Sequence, residues 1–140
     1  MRNLLLITHF LGLTLGVGTG FAMMALGIAS KDMAPADRAA FMRRASAVGV
    51  NGSIGLLLLI LSGLGLVYNM GVEALFSYGP AVHAKLTLVA ILIGCFGYMQ
   101  VLVKKFKAGD AAAAATLPVV SKVMLLVGVG IVIAAVLAFQ

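Results

Sequence analysis

Four long apolar runs, separated by short polar segments, dominate the pattern of residues along the chain. They cover about residues 3–29, 47–69, 81–103 and 117–139. Each run has about the 20 residues that a helix needs to cross the hydrocarbon core of a bilayer. Helices are required there because lipid offers no hydrogen bonds to open backbone groups. The pattern predicts an all-α integral membrane protein, in which one transmembrane domain over residues 1–140 forms a four-helix bundle.

The first run follows Met1, Arg2 and Asn3 and has the position of a signal peptide. It is too long for the apolar region of a signal peptide, and no small-residue cleavage site follows it at a suitable distance. We therefore expect it to be retained as the first span.

The composition supports lipid as the main solvent for the surface of the protein. The chain is 63% hydrophobic and only 10% charged, whereas a soluble domain is about a quarter charged. The net charge of +6 comes from short basic clusters between the apolar runs. This distribution is typical of loops at a membrane surface, and it argues against a nucleic-acid partner.

The basic residues also predict an orientation. The segments 30–46 and 104–116 must lie on the same side of the membrane, since an even number of spans separates them. They hold most of the cations: Lys31, Arg38, Arg43, Arg44, Lys104, Lys105 and Lys107. The positive-inside rule then places both segments in the cytoplasm and both termini outside.

Three prolines mark expected helix starts. Asp32 or Pro35 should begin a short interfacial helix that carries Phe41 and Met42. Pro80 and Pro118 suit the first turns of the third and fourth spans, because proline lacks the N–H that a first turn leaves unused.

The two histidines are the polar residues of greatest interest within the spans. His9 and His83 each lie near the start of a span, and the first and third spans run in the same direction. At about 100° per residue, His9 shares a face with Gly12 and Gly16, and His83 shares one with Gly94. Both imidazoles are therefore expected at a similar depth near the outer side, on faces lined by small residues that turn inward.

Two inward imidazoles at one depth are the arrangement needed for haem with two axial histidines. Small residues leave room for the macrocycle, and Arg2 and Lys85 are placed near its propionates if Lys85 extends outward. Asn69, at the outer end of the second span, lies at the same level. These residues form the predicted cofactor site, with His9 and His83 as the metal ligands.

Other interpretations of the same residues stay open. A histidine near the interface often only hydrogen-bonds a neighbouring helix. Lys85 either snorkels to the surface or acts as a positioned cation or proton donor, but it lies about 200° from His83 around a regular helix. Copper held with methionine is less favoured, because the methionines lie deep. No nucleophile–base pair, phosphate-binding loop or carboxylate pair occurs, so hydrolysis and phosphoryl transfer are not expected.

Short motifs resemble the HemJ-type protoporphyrinogen oxidases, a bacterial membrane family, and the related CopD-like membrane domains. The similar segments run from Leu6 to Gly12, from Phe41 to Arg44 and from His83 to Val89. The resemblance implies haem b, the inner membrane of a bacterium and oxidation of a porphyrinogen. The family's histidine would correspond to His9 and its catalytic lysine to Lys85. The chain departs from the family in having no tryptophan.

The leading hypothesis is a haem-binding membrane protein with a redox or porphyrinogen-oxidising role. If it is an enzyme, it is an oxidoreductase acting on a tetrapyrrole. The expected partners are the lipid bilayer, a quinone or electron-transfer protein, and further copies in a homo-oligomer. The alternatives are a cofactor-free structural or accessory membrane subunit and a small transport or copper-handling component.

Overall fold

The protein is entirely helical over the part of the chain that the structure, a computed structural model, describes, which is residues 1–77 and 79–138. The helices, in chain order, are α1 (Arg2–Ala29), α2 (Pro35–Ala45), α3 (Gly49–Met70), α4 (Val72–Ser77), α5 (Pro80–Lys107) and α6 (Ala111–Ala138), with a 3-10 turn at Ser46–Val48. The predicted all-α class is confirmed. Four helical stretches are long and apolar enough to cross a membrane, which is the construction of a multi-pass membrane protein.

The chain divides into two compact units, Met1–Tyr78 and Gly79–Gln140. The first unit pairs α1 with α3, and the second pairs α5 with α6. Each unit is therefore a helical hairpin with its own packing.

The helices of the first unit, α1 and α3, are antiparallel and touch backbone to backbone. A Cβ added at Gly12 would lie 2.8 Å from the Gly55 carbonyl oxygen. One added at Gly55 would lie 2.5 Å from the Gly16 amide nitrogen. Glycine allows this approach, which in lipid brings van der Waals contact without a hydrophobic driving force. The prediction that Gly12 and Gly16 face a neighbouring helix is confirmed.

A short helix precedes α3, as the sequence predicts. It begins at Pro35, places Phe41 and Met42 on its partly buried side, and runs through the 3-10 turn into α3. Ser30, which is fully buried, ends α1 beneath it. The Ser30 hydroxyl lies 3.1 Å from the Gly27 carbonyl oxygen and 3.6 Å from Met42 Sδ. This contact ties α2 to the end of α1.

The second unit shows one expected helix start and one that was wrong. Pro80 lies in the first turn of α5, as predicted. Pro118 lies inside α6, which begins at Ala111 after Asp110 accepts a bond from the Ala112 amide. The alanine run that was assigned to a loop is the strongest helix former in the segment. Helix α6 therefore starts before the proline.

The connections are shorter than the sequence predicted. Lys104, Lys105 and Lys107 belong to the last turn of α5, where cations suit the helix dipole. Only residues 108–110 separate α5 from α6. The segment between α3 and α5 also contains the short helix α4, which the sequence analysis did not predict.

Candidate functional site

The most structured polar contact in the spans joins His9 of α1 to Ser62 of α3. His9 Nδ1 lies 3.0 Å from Ser62 Oγ. Ser62 is only 2% exposed, so the pair lies at the contact between the two helices. The sequence analysis singled out His9 but missed Ser62, which stands in an apolar run and was grouped with ordinary hydroxyls.

The partners of Ser62 decide which imidazole nitrogen carries the proton. The Ser62 hydroxyl donates to the Leu58 carbonyl oxygen at 2.5 Å, and the Leu59 carbonyl lies at 3.3 Å. A hydroxyl has a single proton to donate. With that proton directed to the backbone, Oγ accepts from the Nδ1–H of His9. A neutral imidazole in this tautomer carries its lone pair on Nε2, the nitrogen that can bind a metal.

Glycine in α3 seats the His9 ring. A Cβ at Gly63 would lie 3.7 Å from His9 Cε1, and one at Gly65 would lie 2.9 Å from Leu5 Cδ2. The ring therefore packs closely against the α3 backbone, one turn from the end of that helix. These contacts limit how far the imidazole can rotate or withdraw.

Arg2 and Asn69 lie at the same end of the first unit as His9. Arg2 begins α1, and Asn69 is in the last turn of α3. The two ends are neighbours because the helices are antiparallel. The Asn69 side-chain amide donates to the Gly65 carbonyl oxygen at 2.9 Å within its own helix.

His83 and Lys85 belong to the second unit, in the first two turns of α5. The His83 side chain is exposed, whereas Lys85 is half-buried. The difference agrees with their separation of about 200° around the helix. The His83 carbonyl accepts a bond from the Thr87 hydroxyl at 2.9 Å.

The glycines on the His83 face of α5 do not pack against α6. No heavy atom lies within 4 Å of a Cβ added at Gly94 or Gly97. The contact with α6 uses another face, where a Cβ on Gly130 would lie 3.6 Å from Leu88 Cδ1. The second unit therefore leaves its histidine and small residues on a side that its own partner helix does not cover.

A shallow groove is a further feature of the first unit that the sequence analysis missed. Its volume is about 230 Å³, and its lining includes Thr14, Gly18, Thr19 and Asn51. The sequence analysis assigned Asn51 only to backbone or headgroup contacts. The groove depends on which faces of α1 and α3 meet, and no sequence motif marks that.

Clusters able to hold a metal ion by protein ligands alone do not occur in residues 1–77 and 79–138. No group of three His, Cys, Asp or Glu side chains meets there. Haem needs fewer protein ligands, since the macrocycle binds the iron and the protein adds axial ligands. The donor set of His9, with Nδ1 held and the lone pair on Nε2, fits an axial ligand.

Comparison of the chain with protein-family models, with curated proteins and with solved structures finds no match. The argument for function therefore rests on the residues themselves.

Proposed function

We propose that this chain is a haem-binding redox protein of the membrane, with His9 and His83 as the axial ligands. The observation that carries the proposal is the hydrogen bond between His9 Nδ1 and the buried Ser62 hydroxyl. Histidines that bind metals usually donate their second N–H to such a partner. The bond directs the lone pair of His9 to Nε2 and holds the ring.

His83 is the second ligand of this proposal. It shares the start of an apolar helix with His9, and its side chain is exposed in the second unit. The small residues on its face, Gly94 and Gly97, leave space beside α5. A flat macrocycle needs such space next to its ligand. When bound, haem b would supply one-electron redox chemistry.

The remaining polar residues have roles around the cofactor in this proposal. Arg2 would neutralise a propionate, and Asn69 lies at the same end of the first unit. Lys85 would act as a cation or proton donor to a tetrapyrrole substrate, as the resemblance to the HemJ-type oxidases implies. A quinone or a redox protein would take up the electrons.

The proposal includes an orientation and a location. The basic segments 30–46 and 104–116 face the cytoplasm of a bacterium, and both termini of the four-helix bundle lie outside the inner membrane. The histidines then lie near the outer surface. Copies of the chain in a homo-oligomer are compatible with this arrangement.

The first test is the absorption spectrum of the protein purified after expression with a haem supply. We expect a Soret band and a low-spin signature. His9→Ala and His83→Ala should each remove the low-spin signature, because each leaves the iron with one axial histidine. Added imidazole should restore the signature in both variants.

Two threonine variants serve as matched controls. Thr8→Ala and Thr87→Ala change hydroxyls beside each histidine that bond only their own helix. Both should keep the spectrum of the unmodified protein. A purified, folded protein without a Soret band would exclude the haem proposal.

A second candidate is a cofactor-free accessory subunit, favoured by the same hydrogen bond in a different role. The bond between His9 and Ser62 joins α1 to α3 beside the Gly12–Gly55 contact. In this case His9 is a packing residue. His9→Ala would then lower the stability of the first hairpin, no haem would bind, and His83→Ala would have little effect on either property.

A further inference from the structure

We propose that Ser62 is the positioning residue that sets the tautomer of His9 and so selects Nε2 as its ligating nitrogen. The inference about the ligand rests on the proposed haem function. The inference about the tautomer rests on the first unit alone, and it can be tested without haem.

The direction of the hydrogen bonds around Ser62 is the first step. Its hydroxyl lies 2.5 Å from the Leu58 carbonyl oxygen, one helical turn earlier in α3. Serine hydroxyls commonly bond the carbonyl four residues before them. The proton is therefore directed along α3, and the oxygen lone pairs face His9 Nδ1 at 3.0 Å.

Burial is the second step. Ser62 is 2% exposed, so water has little access to compete for the Nδ1 proton. An N–H without an acceptor in such a place would cost about 1–3 kcal/mol. The reverse tautomer would point a lone pair of His9 at a lone pair of Ser62. Both terms favour the proton on Nδ1.

The backbone contact is the third step. Gly63 lies directly against the ring, with its Cβ position 3.7 Å from His9 Cε1. The Gly12–Gly55 contact holds the two helices at a fixed separation. The imidazole can therefore keep its bond to Ser62 only with the Nδ1 edge toward α3. The Nε2 edge is the one presented away from that bond.

The consequence for a bound haem follows from the role of such partners in metal sites. A hydrogen bond to the second imidazole nitrogen fixes the ring and raises the basicity of the ligating nitrogen. Loss of partners of this kind typically lowers metal affinity or activity by about 10–100-fold. We expect a decrease of this order in haem affinity when the hydroxyl is removed.

The test is nitrogen NMR of protein labelled at histidine and purified without haem, in lipid or detergent. Only two histidines are present, so His83→Ala assigns both sets of signals. For His9 we expect a protonated Nδ1 and an unprotonated Nε2. Ser62→Ala should give a mixture of tautomers, and Ser62→Thr should keep the original tautomer because it retains the hydroxyl. A protonated Nε2 in the unmodified protein, or no change in Ser62→Ala, overturns the inference.

A serine on the same helix provides the matched control. The Ser53 hydroxyl bonds the Gly49 carbonyl at 3.2 Å in the same way and lies about 13 Å along α3 from Ser62. Ser53→Ala should leave the His9 tautomer unchanged. Haem titration of the same variants separates the two proposals. Unchanged haem affinity in Ser62→Ala counts against Ser62 alone, while an unmodified protein with the expected tautomer but no haem binding counts against the haem function alone.

Discussion

The two hairpins are built from similar lengths of apolar helix, yet they are held together in different ways. In the first, α1 and α3 touch through glycine backbones, and the His9–Ser62 hydrogen bond crosses between them. In the second, Leu88 packs near Gly130, which leaves room for a methyl group, and Gly94 and Gly97 face away from α6. Glycine therefore has two uses here, as a point of contact and as an open face.

This difference shows that a count of small residues does not locate a helix contact. Both hairpins carry glycines at helical spacing, but only those of α1 and α3 meet a backbone within the unit. In lipid, helices gain stability from close packing and hydrogen bonds rather than from burial of apolar surface. The first hairpin has both of these stabilising features at one contact and is expected to be the more stable unit.

The largest effect is expected from Gly55→Ala. Its Cβ would lie 2.5 Å from the Gly16 nitrogen and 2.8 Å from the Gly12 oxygen, so α1 and α3 must separate. Overpacking of this kind lowers the free energy of unfolding by about 1–3 kcal/mol. Equilibrium unfolding in mixed micelles measures the change.

The matched control for that substitution is Gly97→Ala in α5, where no atom lies within 4 Å of the added Cβ. It should not lower the free energy of unfolding. Equal destabilisation by the two changes would show that the hairpins do not differ as described.

A smaller effect is expected from the side-chain bond between α1 and α3. A double-mutant cycle with His9→Ala and Ser62→Ala should give a coupling energy of about 0.6 kcal/mol, with an upper range of about 1.7 kcal/mol. The cycle of Thr8→Ala with Ser62→Ala should give none, because the Thr8 hydroxyl bonds the Leu4 carbonyl of its own helix. Zero coupling in the first cycle would remove the bond from the comparison.

The smallest effect is expected from Gly130→Ala in α6. The added Cβ would lie 3.6 Å from Leu88 Cδ1, which is ordinary van der Waals contact. Alanine is also the better helix former, by about 0.5–1 kcal/mol in a helix interior. The thermal midpoint should therefore rise slightly, and a fall would mean that the second hairpin is packed as tightly as the first.

Much of the secondary structure could be predicted because apolar length and charge act locally. The four spans, the short helix that begins at Pro35 and the start of α5 at Pro80 follow from such signals. The start of α6 was wrong because proline was weighted above the alanine run before it. Proline inside a membrane helix is tolerated when the freed carbonyl finds another partner.

The site was predicted only in part. His9 is noticeable in the sequence because an imidazole in an apolar run needs an explanation. Ser62 is not, since a serine can satisfy its own hydroxyl within a helix. Its importance comes from lying opposite His9, which depends on how α1 and α3 pack.

The depth of Lys122 shows the same dependence. Leu88 and Gly130, which lie near each other, are equally far along the chain from Gly109. By that symmetry Lys122 is level with Phe96, about 16 Å along the hairpin from Lys85. The hydrocarbon core is about 30 Å thick, so the two lysines lie within it at different heights. Their side chains lean toward the N-terminal ends of antiparallel helices, and each can reach the nearer surface through its apolar stem.

The sequence by itself determined that the chain is helical, that four of its stretches can cross a membrane, and which polar residues lie in those stretches. Hydropathy, helix length and charge act within each segment, so they can be assessed one segment at a time. Only the tertiary structure decided that Gly12 meets Gly55, that Ser62 receives the His9 proton, and that Gly94 faces away from α6. These are properties of the pairing and register of helices, and apolar sequence specifies them weakly because most apolar faces are equally soluble in lipid.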